Sequence, residues 1–79
     1  MTQREVGDYL VSGSAVQVNQ PGSKYDGHWS AKVSIFNQRT STDQLVELNA
    51  YFVEREVAEN SALVHGVRMV EGKVSGLNV

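Results

Sequence analysis

The chain offers few residues able to do chemistry. The densest group is Tyr25, Asp26 and His28, in a stretch bearing Pro21, Gly22 and Gly27. An Asp two residues from a His can orient the imidazole for proton transfer or for a metal ion. In a turn the same pair more often meets water and does neither. The second histidine, His65, stands alone on a predicted helix, at the margin of its apolar stripe. Gly-x-Gly-x-x-Gly, P-loop, His-Glu-x-x-His and Gly-x-Ser-x-Gly patterns are all absent. The chain also has no cysteine, which removes thiolate metal sites, iron–sulfur clusters and a cysteine nucleophile. The expectation is a protein with no catalytic residue, no metal and no cofactor. Two alternatives stand beside it: nucleic-acid binding, and an enzyme built on the Tyr25/Asp26/His28 loop.

Composition narrows the partners. The 79 residues make one small domain, 41% hydrophobic, with a formal net charge of −2. The seven Lys and Arg are scattered singly, without the basic stripe that nucleic-acid binders carry. No apolar run approaches the roughly 18 residues that a membrane span needs. Met1-Thr2-Gln3-Arg4-Glu5 lacks the pattern of a signal peptide. A cytoplasmic protein is expected, with a protein partner or self-association in place of nucleic acid or membrane.

The candidate residues must be held by elements that the spacing predicts. Trp29, Ala31, Val33 and Ile35 alternate with Ser30, Lys32 and Ser34, which predicts a strand over 29–36. A partner strand is expected over 10–18, where Gly13 marks a bulge or a close backbone approach. Pro21-Gly22 and Asp26-Gly27 are turn signals in the loop between them. A third strand is expected over 45–53, from the alternation of Val46, Leu48, Ala50 and Phe52. In the expected register Val18 lies opposite Trp29, Val16 opposite Ala31, and Ser34 opposite Glu47.

The period then changes. Leu63, Val67, Val70, Val74 and Leu77 recur at helical spacing, flanked by Ala58, Ala62, Gly66 and Met69. A helix over about 57–75 follows, with Gly76 as its stop and Gly72 fraying its last turn. Gly66 in mid-helix is either a tolerated cost of about 1 kcal/mol or the site of a close approach to the sheet. Residues 1–8 are expected to form a frayed arm, or a short helical turn capped by Thr2 and Glu5.

These elements predict an α+β domain: a three-stranded antiparallel meander, order 1-2-3, with one helix across one face. The helix covers one face only. The other face is expected to carry Val11, Lys32, Phe36, Tyr51 and Val53, and to be the binding surface if there is one. Strand edges are the second candidate, since two copies can pair there across a two-fold axis.

Gly27, Trp29, Ala31, Val33 and Ile35 resemble the Gly-x-Trp-x-Ala-x-Val-x-Ile strand of a group of small bacterial proteins. That resemblance implies three strands and a C-terminal helix, and brings no activity with it. In topology alone the chain also resembles double-stranded-RNA-binding domains. Those place lysines at the start of the last helix, where this chain reads Glu56-Val57-Ala58-Glu59-Asn60.

Overall fold

Four strands, not three, precede the helix. The computed structural model describes residues 2–79; Met1 lies outside the described residues. The elements are β1 (Thr2–Val6), β2 (Tyr9–Gln17), β3 (Trp29–Asn37), β4 (Thr42–Phe52) and α1 (Arg55–Val70). The strands form one antiparallel sheet in the order β1-β2-β3-β4. The expected arm or helical turn is therefore a strand over Thr2–Val6. Gly7-Asp8 closes it onto β2 as a two-residue hairpin, with Gly7 at φ +59°. Glycine at the first loop position is what a primed hairpin turn requires. That Gly-Asp pair between Val6 and Tyr9 is the signal that sequence reasoning passed over.

The β2–β3 register differs from expectation by one residue, and the β3–β4 register by two at Glu47. Gln17 lies opposite Trp29, Ala15 opposite Ala31, and Gly13 opposite Val33. Lys32, not Ser34, lies opposite Glu47, and the two pair at 3.4 Å. The slip turns Val11, Gly13 and Ala15 toward the helix and sends Val16 outward, where it is 53% exposed. The cause is volume. The α1 backbone lies directly on β2 at Gly13, so the residues beneath it must be small. A Cβ built on Gly13 would sit 2.4 Å from the Glu59 carbonyl oxygen.

The core is correspondingly lean. Its largest fully buried side chains are Ile35, Val11 and Val33. Each contributes about 1.5–3 kcal/mol of burial. The helix adds Ala58, Ala62, Val67 and Met69, and Gly66 is buried with them. The buried stripe therefore centres on the small flanking residues, while Leu63 and Val70 pack beside it.

The helix stops at Val70, five residues short of expectation. Gly72 adopts φ +78°, and the Gly72 and Lys73 amides donate to the Met69 and Arg68 carbonyls. This is a Schellman ending, with its left-handed position at Gly72 and not at Gly76. Val74 and Leu77 still reach the core, but from an extended tail. The Gln44 side chain holds that tail by donating to the Gly76 carbonyl and accepting from the Asn78 amide, both at 2.8 Å.

Loop chemistry explains the other connections. Ser23 donates to the Gln20 carbonyl across Pro21-Gly22, and His28 to the Tyr25 carbonyl across Asp26-Gly27. Gly22 and Gly27 lie at φ +88° and +82°, as type II turns demand. Between β3 and β4, Ser41 sits at φ +59° and donates to the Asn37 carbonyl. A left-handed non-glycine residue is strained by roughly 1–2 kcal/mol. Ser41→Gly is expected to raise stability by about 0.5 kcal/mol, because relief of strain exceeds the extra entropy of the unfolded chain. Urea denaturation midpoints of the two proteins check this; a lower midpoint for the variant refutes it.

Candidate interaction surface

Strand alternation settles which residues share the open face. Val11, Gly13, Ala31, Val33 and Ile35 are buried under α1. Their neighbours along each strand therefore point the other way. Val11 is thus corrected: it is fully buried in the core and takes no part in the outer face. The expected register had it one step out of phase. Leu10, paired with Phe36, holds the place assigned to it.

The outer face is a grid of four rows, read from the register. Val16, Ser30 and Tyr51 form the row nearest the loop over 18–28. Ser14, Lys32 and Glu47 form the next. Gln3, Ser12, Ser34 and Leu45 form the third. Glu5, Leu10, Phe36 and Asp43 form the last. Apolar side chains lie in the first, third and last rows, and the second is polar, Ser14 with the Lys32–Glu47 pair.

The loop and the sheet meet at the first row. Tyr25 stacks on Tyr51 with ring centroids 4.2 Å apart and planes at 19°. His28 meets the edge of the same Tyr25 ring at 6.0 Å, and the Lys24 ammonium lies 5.0 Å from its centroid. Two candidate groups that are separate in sequence are therefore one aromatic cluster. Such stacked pairs contribute about 0.5–1.5 kcal/mol beyond simple burial. Asp26 is not part of it. Its carboxylate accepts the Gln20 amide at 2.9 Å and fastens the loop. Trp29 lies on the inner face, packed against the core, with the Arg55 guanidinium 5.9 Å from its ring.

Among the described residues, seven large hydrophobic side chains stand exposed. Val16, Leu45 and Tyr51 belong to the outer face, Tyr25 lies on Tyr51, and Val53 follows β4. Only Val57 and Val64 lie elsewhere, on the helix. The clustering carries information, because scattered exposed hydrophobics need no explanation and a one-sided group does.

The polar middle of the face is largely self-satisfied. Ser30 donates to the Val16 carbonyl at 3.2 Å, Ser12 to the Gln3 side chain at 3.3 Å, and Ser14 to the Lys32 carbonyl at 3.5 Å. Lys32 and Glu47 offset each other's charge. Beside them β4 bulges, so that residues 48–50 lie opposite Ala31. A hollow of about 530 Å³ opens there, lined by Gln17, Asn19, Ser30, Glu47, Asn49 and Tyr51 among others.

On the helix side, His65 lies in a shallow groove of about 450 Å³ with Leu48, Val57, Val64 and Arg68. Among the described residues, no three His, Asp or Glu side chains come together as a metal site would require. Nor, among the described residues, is any helix long and apolar enough to cross a membrane. Comparison of the chain with protein-family models, with curated proteins and with solved structures found no match.

Proposed function

We propose that the protein is a small non-enzymatic interaction module that binds a protein surface with the outer face of its sheet. The observation that carries this reading is the one-sided exposure of Val16, Tyr25, Leu45 and Tyr51. Interface centres are built from such aromatic and aliphatic anchors, with polar groups around them. The Tyr25–Tyr51 stack holds two rings in place before any partner arrives, which lowers the entropy lost on binding. Lys32, Phe36 and Glu47 surround the anchors and set register and specificity.

The lean core supports the same reading. A chain of this size gains stability from a partner that covers further apolar surface. Scattered cations and an acidic helix start, Glu54 and Glu56, disfavour a polyanion as that partner.

The test compares three proteins in affinity capture from cells of the source organism: wild type, Tyr51→Ser, and Val64→Lys on the helix. The expected result is a partner held by wild type and Val64→Lys, and retained at least about tenfold less by Tyr51→Ser. A partner held equally by all three, or lost with Val64→Lys alone, overturns the outer-face reading.

A further inference from the structure

We propose that the occupant of the outer face is a second copy of this chain, packed face to face with its strands running antiparallel to the first. This rests on the outer-face reading and names the partner.

The charges on the face select this arrangement. Its loop end carries Lys24, and Lys32 one row in is offset by Glu47. Its opposite end carries Glu5 and Asp43. A two-fold axis along the strands, which also reverses their order across the sheet, would lay the acidic end on itself, with Asp43 of β4 toward Glu5 of β1. A two-fold axis across the strands instead lays the basic end of each copy over the acidic end of the other. A two-fold contact uses the same patch twice, so the patch must complement itself. Only the second arrangement meets that condition.

The apolar rows obey the same rotation. Val16 of one copy comes over Leu10 of the other, and Ser30 over Phe36. Tyr51 and Lys24 come beside Asp43 of the second copy. Between these ends lie Ser12, Ser14 and Ser34 and the Lys32–Glu47 pair, with Gln3 and Leu45 at the edges. Small side chains let two sheets approach to the roughly 10 Å of a packed β-sandwich. Ser12, Ser14 and Ser30 lose water at little cost because they already donate within the chain, and Lys32 and Glu47 enter the contact as a pair rather than as separate charges.

Size is adequate. Three strands of nine or more residues and the five-residue β1, about 4.8 Å apart, give a footprint on the order of 500 Å². A corrugated face buries more than its footprint, which approaches the roughly 800 Å² per partner of a standard interface.

The experiment is sedimentation equilibrium of the full chain across a concentration series. Wild type is expected to be a dimer. Val16→Lys with Leu45→Lys replaces two exposed side chains, and is expected to raise the dissociation constant about tenfold or more with an unchanged circular dichroism spectrum. Lys24→Glu is expected to weaken the dimer, and adding Asp43→Lys to restore it. The same single change leaves a same-end dimer unaltered, so an indifferent Lys24→Glu overturns the antiparallel arrangement. A wild type that stays monomeric overturns the second-copy proposal, while the capture experiment still decides the outer-face reading separately. A dimer that ignores the Val16/Leu45 variant and dissociates with Val64→Lys overturns both.

Discussion

Gly13→Ala is expected to destabilise the protein by about 3 kcal/mol, the upper range for overpacking a core. The added Cβ would lie 2.4 Å from the Glu59 carbonyl oxygen and 2.9 Å from the Leu63 amide nitrogen. Both are backbone atoms of one helix, so no side chain can swing aside. The helix must lift from β2, and the packing over Val11 and Val33 loosens with it. For a domain of this size each kcal/mol lowers the melting temperature by about 4–8 °C. A fall on the order of 12–24 °C should therefore appear in a thermal melt followed by circular dichroism. A melting temperature within a few degrees of wild type would show that the helix does not lie on Gly13. A neighbouring control is Ser12→Ala on the opposite face, where the change in melting temperature should be small.

Gly66→Ala puts two known quantities in opposition. Alanine gains about 1 kcal/mol over glycine in a helix interior. Its Cβ, however, would lie 2.5 Å from Val33 Cγ2 and 2.6 Å from Val11 Cγ1. Both valines are fully buried and branched at Cβ, so neither has a free rotamer to retreat to. Overpacking wins, and a net loss of about 1–2 kcal/mol is expected. Val33→Ala alone is also destabilising, since it leaves a cavity. Combined with Gly66→Ala, it makes room for the new methyl group. The double variant is then expected to lose less than the sum of the two single losses, by about 1 kcal/mol or more. Guanidinium denaturation of all four proteins measures this coupling. Additive losses would mean that the two positions do not touch.

Much of the local structure is legible from local residues. The alternation from Trp29 to Ile35 marks β3, because successive side chains of a strand point to opposite faces. The turns at Pro21-Gly22 and Asp26-Gly27 follow from residues that preset or permit their backbone angles. The close approach at Gly13, one of two readings of that glycine, and that at Gly66 are found where the sequence suggested them. The first strand was hidden because Thr2–Val6 is short, with its interior residues Gln3, Arg4 and Glu5 all exposed. Only the Gly7-Asp8 pair marks its hairpin. Of the outer face, alternation placed Lys32, Phe36 and Tyr51, and left out the exposed Val16 and Leu45. The wrong member of the Leu10/Val11 pair was assigned to it.

The sequence by itself determined the alternation, the turns and the existence of one amphipathic helix, all of which depend on neighbours a few residues apart. A period of two defines two faces of a strand but does not say which one a helix will cover. Apolar character favours Val16 and Val18 as the buried pair. The structure buries Gly13, with Ala15 on the same face, because a helix backbone resting on the sheet needs small residues beneath it. Register was thus decided by volume, a property of two elements in contact. The Tyr25–Tyr51 stack was decided at the same level, since only folding of the loop over 18–28 brings those rings together.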